Sequence, residues 1–174
     1  MEMYPSNVHY YALKAHYLDA SVLVKLVAED ADENPGRTAI REYYASHADM
    51  RATSHCFWEA LSVFKTKFLR GRISRDDYVR YVERFITQTV GWKLGIDNSP
   101  ILSLELMGEA EKLIRKYADL DFVDCLQIVT IKHGDNKVFC GDSKSILITA
   151  DRDLAKVARA EGARVWECTS EPLP

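Results

Sequence analysis

Four acidic residues of this chain each stand among apolar residues that a folded protein would bury: Asp19, Glu59, Asp124 and Asp151. Burying an isolated carboxylate is costly, so each of them needs a cation or hydrogen-bond donors nearby. Several carboxylates in one cleft repel each other, and a divalent cation relieves that repulsion. Oxygen ligands without histidine or cysteine favour Mg²⁺ or Mn²⁺, which can activate water and stabilise charge on a phosphate. The residue types therefore indicate a candidate site for a divalent cation that can activate water beside a phosphate.

Each acid also has a local explanation. Asp19 could accept hydrogen bonds from amides at a helix start, and Asp151 could be a helix N-cap. Glu59 could be a surface residue, and Asp124 a first-turn residue favoured by the helix dipole. Their joint order along the chain (strand end, helix, helix start, strand end) favours a common site.

The elements needed to position these acids alternate along the sequence. Strands are predicted at 16–19, 50–53, 146–149 and 164–166, with 91–97 extended, and helices at 21–28, 35–44, 54–70, 74–89, 99–117, 122–132 and 152–160. Alternation of this kind predicts a three-layer α/β/α fold with a central, mainly parallel sheet. Asp19 and Asp151 would then lie at carboxyl ends of strands, where such sheets carry their sites. We expect one domain, 16–170, preceded by an arm, 1–15, with a polar loop at 133–145.

Composition narrows the class of protein. The formal net charge of −3 excludes a basic field over the whole surface, so nucleic-acid binding would need a local patch. The four cysteines have no zinc-site spacing, and neither a signal peptide nor a membrane-spanning apolar run is found. These features are typical of a cytoplasmic protein with no membrane partner.

A local basic patch is present between Ala60 and Arg75, a stretch that contains no acid. With two further cations near the proposed metal site, it gives the predicted RNA-binding set: Lys25, Lys65, Lys67, Arg70, Arg72 and Arg152. The alternative is a solvated helix face, and Lys25 or Arg152 could instead neutralise neighbouring acids.

The segments around the four acids, LDASVLVKL at 18–26, WEAL at 58–61, DFVDCLQI at 121–128 and TADRDL at 149–154, resemble the PIN-domain nucleases, in particular the VapC-type toxin ribonucleases. The resemblance covers about residues 16–167. It implies the family's fold, Mg²⁺- or Mn²⁺-dependent endoribonuclease activity on single-stranded or structured RNA, and metal-ligand roles for the four acids. Ser21 and Thr149 match hydroxyl positions beside the site and could orient a carboxylate or water, or be local caps. A small antitoxin and a second copy of the chain are the implied protein partners.

Two further points separate the alternatives. A catalytically silent PIN-like scaffold would have no reason to keep four buried charges, and a haloacid-dehalogenase-type phosphatase would need an acid where Ser21 stands. At the third ligand position, Asp121 or Asp124 could bind the metal. The position of Asp121 suits a helix cap, and the resemblance aligns Asp124 with the metal-binding acid.

Overall fold

A computed structural model describes residues 15–97, 103–133 and 145–174. The five strands within these ranges form one fully parallel sheet in the order β3-β2-β1-β4-β5. Their bounds are β1 His16–Leu18, β2 Met50–Thr53, β3 Gly95–Asp97, β4 Ile146–Thr149 and β5 Arg164–Glu167. The predicted parallel sheet is therefore confirmed. Residues 1–14 of the proposed arm and 134–144 of the proposed loop lie outside the described ranges.

Seven α-helices cover the described part of the sheet: α1 Ala20–Val27, α2 Arg37–Ser46, α3 Ser54–Leu69, α4 Arg75–Arg84, α5 Leu104–Lys116, α6 Phe122–His133 and α7 Arg152–Ala160. A 3₁₀ turn at Ala31–Glu33 follows α1, and a π-helical segment at Phe85–Val90 continues α4. The chain therefore alternates strand and helix as its hydrophobic pattern predicts.

Two predicted helix starts differ from the structure. The helix expected from residue 35 begins at Arg37, because Gly36 has a φ of 74°, a left-handed conformation that no α-helix contains. The helix expected from Ser99 begins at Leu104, where Ser103 accepts a hydrogen bond from the Leu106 amide. Ser99 and Pro100 themselves lie outside the described residues.

Side chains alternate across the sheet and divide the core into two halves. Leu18 and Ile148 pack into the half formed with α1–α4, whereas Tyr17 and Leu147 pack into the half formed with α5–α7. This is the period of a strand buried on both faces. The predicted three-layer α/β/α architecture is confirmed.

The sheet topology places an opening beside β1. The chain runs from β1 to β2 and β3 on one side, then crosses to β4 and β5 on the other. The strand order thus reverses between β1 and β4, and in open parallel sheets ligands bind at the carboxyl ends of strands at such a point. No helix in the described ranges is long and apolar enough to cross a membrane.

Candidate active site

Asp19 is the buried acid at the point where the strand order reverses. It lies between the end of β1 and the start of α1, with 5% of its surface exposed. Its Oδ2 accepts hydrogen bonds from Ser21 Oγ at 2.6 Å and from Thr149 Oγ1 at 2.9 Å. Burial raises the pKa of Asp19, and the two hydroxyl donors partly oppose that rise. The two hydroxyls therefore fix the orientation of this carboxylate.

Ser21 and Thr149 also join Asp19 to the segment after β4. The Ala150 amide donates to Ser21 Oγ at 3.0 Å, and the Asp151 amide donates to Thr149 Oγ1 at 2.9 Å. Each hydroxyl thus donates to the Asp19 carboxylate and accepts from a backbone amide, that of Ala150 for Ser21 and that of Asp151 for Thr149. The result is one hydrogen-bond network across the carboxyl ends of β1 and β4.

Asp151 combines a capping position with proximity to the other acids. It is exposed, and its Oδ1 accepts hydrogen bonds from the amides of Asp153 and Leu154 at 2.8 and 3.0 Å, so it caps α7. Its charge nevertheless raises the pKa values of Asp19, Glu59 and Asp124. Asp151 is therefore a helix N-cap, as the local explanation predicts, and it also belongs to the cluster of interacting acids.

The start of α6 separates Asp121 from Asp124. Asp121 Oδ1 accepts hydrogen bonds from the amides of Val123 at 2.8 Å and Asp124 at 2.9 Å, which is the geometry of a helix N-cap. Burial, followed by the charges of Asp121 and Asp19, raises the pKa of Asp124 from 3.8 to about 7. Asp121 is therefore the cap of α6, and its charge also raises the pKa values of Asp124 and Glu59.

Glu59 lies in the second turn of α3, on the side of the sheet opposite α6 and α7. It is exposed at the rim of the site. Partial desolvation, then the charges of Asp19 and Asp121, raises its pKa from 4.5 to about 7. Carboxylates from α1, α3, α6 and α7 therefore act on one another at one end of the sheet.

The chemistry of this cluster suits a hard divalent cation. Its donors are carboxylate and hydroxyl oxygens, and the carboxylates raise one another's pKa values, so a cation between them would relieve the repulsion. Within the three described ranges, no three His, Cys, Asp or Glu side chains stand as close together as the ligands of one ion.

Two of the predicted RNA-binding residues form ion pairs with acids of the protein itself. The Lys25 side chain is buried and forms an ion pair with Glu33 at 3.0 Å. Lys67 pairs with Asp30 at 2.9 Å and with Glu33 at 2.8 Å. Both lysines therefore neutralise neighbouring acids, the alternative that the sequence left open for Lys25.

The other four predicted cations lie at the surface. Lys65 Nζ lies 5.2 Å from the centre of the Phe68 ring and 5.3 Å from that of Tyr78. Arg152 begins α7 next to Asp151, and its charge adds to the hydrogen bonds from Ser170 and Thr169 that lower the pKa of Glu167 against the effect of burial. Arg70 and Arg72 line a groove that also contains Glu59. The basic stripe therefore divides: Arg70 and Arg72 share a groove with Glu59 without an ion pair to any described residue, whereas Lys67 lines that groove but is paired with Asp30 and Glu33.

One site feature was missed at the level of sequence. His55 lies in the first turn of α3, close enough to Asp121 for the two charges to interact, and partial burial lowers its pKa to about 4. It is therefore neutral near pH 7 and offers no positive charge to the acids. No motif in the sequence indicates this placement, since it depends on how α3 packs near α6.

Comparison with known proteins shows which family this three-layer domain with its acid cluster belongs to. The PIN-domain family model matches residues 16–160, so the chain belongs to the PIN-domain family, whose members are generally nucleases. Among solved structures, the chain is similar to PAE2754 from Pyrobaculum aerophilum, with a TM-score of 0.54 and 16% identity over 87% of this chain and 89% of that one. This second likeness concerns the fold alone. No curated protein matches the chain significantly.

Proposed function

We propose that this protein is a Mg²⁺- or Mn²⁺-dependent endoribonuclease whose metal ligands are Asp19, Glu59, Asp124 and Asp151. The observation that supports this proposal best is the electrostatic repulsion among these acids at the point where the strand order reverses. Two of them, Glu59 and Asp124, have pKa values of about 7, so they hold their charges at a cost that a bound cation would offset.

The cation would supply Lewis acidity and neutralise charge that develops on the phosphate. The chain's own residues do the positioning. Ser21 and Thr149 hold the Asp19 carboxylate in one orientation, and the capping hydrogen bonds of α7 hold Asp151 beside it. A site positioned by strand ends and helix starts is rigid, so little reorganisation would accompany the reaction.

Cleavage of single-stranded RNA by the purified chain tests this proposal. We expect cleavage with Mg²⁺ or Mn²⁺, loss of cleavage in excess EDTA, and loss in Asp19→Asn with the fold retained. Asp76→Asn is the matched control, because Asp76 is an exposed acid at the start of α4, outside the site. Full activity in EDTA, or full activity of Asp19→Asn, would refute the proposed metal site.

The alternative function is a catalytically silent PIN-like scaffold that binds RNA or protein. It predicts no cleavage under any metal condition, together with weak or absent Mn²⁺ binding. Calorimetric titration with Mn²⁺ separates the two functions, because only the nuclease proposal requires heat of binding that disappears in Asp19→Asn.

We further propose that the acid cluster is the target of a small antitoxin that inserts a basic side chain among the carboxylates. Glu59 and Asp151 are exposed at the rim of the site, and the pKa of Asp124 is raised by the acids around it. A cation at this place would therefore be favoured, whether it is a metal ion or a guanidinium group. Copurification with the product of a neighbouring gene tests this. A complex that forms equally well with Glu59→Gln and Asp124→Asn variants would count against it. A homodimer is expected as well, and sedimentation velocity of the purified chain measures it.

A further inference from the structure

A groove of about 400 Å³ lies along α3 and begins beside Glu59. Its α3 wall is formed by Glu59, Ser62, Val63, Thr66 and Arg70. These positions follow the helical repeat, so they make one continuous stripe along the helix. From Glu59 to Arg70 the helix axis rises roughly 16 Å, enough to accompany a few nucleotides away from the acids. The groove therefore connects the acid cluster to the arginine end of the basic stripe.

The arginine end carries uncompensated positive charge. In the described part of the chain, neither Arg70 nor Arg72 has a carboxylate within ion-pair distance, and both are exposed. Lys67 and Asp32 line the same groove, where Lys67 is neutralised by Asp30 and Glu33 and its Nζ lies 3.9 Å from the Asp32 carboxylate. Unpaired guanidinium groups bind phosphate oxygens well, since they present a planar set of donors.

The end of α3 holds both arginines at the groove. Gly71 lies between them with a φ of 67°, its amide donates to the Phe68 carbonyl, and the Arg72 amide donates to the Lys67 carbonyl. These two hydrogen bonds are the Schellman pattern, which ends a helix with a fixed reversal of the chain. Arg70 and Arg72 consequently stand on either side of a defined turn.

Trp58 supplies a flat apolar surface outside the groove lining, next in sequence to Glu59 where the groove begins. It precedes Glu59, lies one helical turn before Ser62, and is 65% exposed. The edge of its ring packs against Phe57, with centroids 4.9 Å apart at 80°, and Phe57 stacks on the buried Phe85 at 5.3 Å. The indole is thus supported by Phe57 and open to solvent, one residue before Glu59 on α3.

We infer that the α3 groove binds the single-stranded RNA leaving the acid cluster, with a base stacked on Trp58 and phosphates bound by Arg70 and Arg72. This inference rests on the proposed nuclease function and specifies how its substrate is held. The combination of an aromatic platform with a cationic track is the means by which proteins bind single strands without reading their sequence. The occupant is therefore an RNA strand rather than a protein segment.

Binding of a fluorescently labelled single-stranded RNA tests the inference. All variants are made in the Asp19→Asn protein, so that binding is measured without cleavage. We expect Trp58→Ala to weaken binding about tenfold and Trp58→Phe to retain most of the affinity, because both aromatic rings stack. Trp92→Ala is the matched control: Trp92 is 73% exposed but lies in a different depression with Tyr44 and Thr89. It should bind like the background protein.

The arginines are tested through the salt dependence of the same binding. Replacing Arg70 and Arg72 together by Gln should lower the slope of log K against log salt by about 1.4, or about 0.7 for each phosphate contact with a single strand. Arg75→Gln removes the same charge from a residue outside the groove and should leave the slope nearly unchanged.

Unchanged affinity in Trp58→Ala together with an unchanged salt slope in the double Arg variant would overturn the groove assignment, even if the protein cleaves RNA. Loss of self-association in Trp58→Ala with normal RNA binding would also overturn it, since Trp58 would then serve a protein interface. RNA binding that depends on Trp58 and the arginines, in a protein without metal-dependent cleavage, would support the groove and refute the nuclease function.

Discussion

The two acids at the start of α6 should respond oppositely to substitution. Asp124 has a pKa of about 7 in place of 3.8, so at pH 8 its ionisation opposes folding. A shift of that size corresponds to at most about 4 kcal/mol. Partial exposure and sharing of the repulsion among several carboxylates reduce the net effect to about 1–2 kcal/mol. Asp124→Asn should therefore raise the free energy of unfolding of the metal-free protein by that amount.

Substitution of Asp121 removes a cap instead. Asp121→Ala leaves the amides of Val123 and Asp124 without their acceptor, which costs about 1 kcal/mol. Asp121→Asn is the matched variant, because asparagine caps a helix about as well as aspartate and removes the same charge. The difference in stability between the two Asp121 variants isolates the cap from the charge.

Thermal melts in EDTA at pH 8 and RNA cleavage with Mg²⁺ measure both effects. About 1 kcal/mol corresponds to roughly 2–4 °C for a chain of this size. We expect Asp124→Asn to melt above the unsubstituted protein and to be inactive, and Asp121→Ala to melt below Asp121→Asn with both variants active. A destabilised, active Asp124→Asn alongside an inactive Asp121→Asn would show that the third ligand is misassigned.

Three further predictions follow from the same contacts. The pKa values of Glu59 and Asp124 in the folded protein, about 7, exceed the ordinary values of 4.5 and 3.8. Ionisation of these two side chains therefore lowers the free energy of unfolding progressively between pH 4 and 7, and the whole loss is present above pH 7. The metal-free protein should thus melt higher at pH 5.5 than at pH 8, a difference that a flat pH profile in EDTA would contradict. Thr149→Val should cost about 2 kcal/mol in urea unfolding, because Asp19 loses a donor and the Asp151 amide loses its acceptor. Thr130→Val, which removes a hydroxyl that donates to the Leu126 carbonyl of its own helix, should cost less. Gly36→Ala should lower the melting temperature markedly, because its Cβ would stand 2.5 Å from the Cys168 carbonyl oxygen at a positive φ; Gly162→Ala, also at positive φ but with open space around it, should cost less.

Much of the fold could be predicted because it depends on neighbours along the chain. The capping positions of Asp121 and Asp151 involve backbone amides two or three positions further along the chain, and both caps are found. The strands β1, β4 and β5 could also be read from their apolar runs. Alternating elements then restrict the sheet to parallel connections, which is why the three-layer fold followed from the sequence.

The sequence by itself determined the acids of the candidate site and the family motifs around them. Tertiary structure decided what each side chain contacts. Thr149 reaches Asp19 across 130 positions of the chain, and Lys67 reaches Asp30 across 37. Contacts at such separations depend on strand order and helix packing, which residue spacing does not encode. For that reason only the structure distinguishes Lys67, neutralised by its ion pairs, from Arg70, which remains open to the groove.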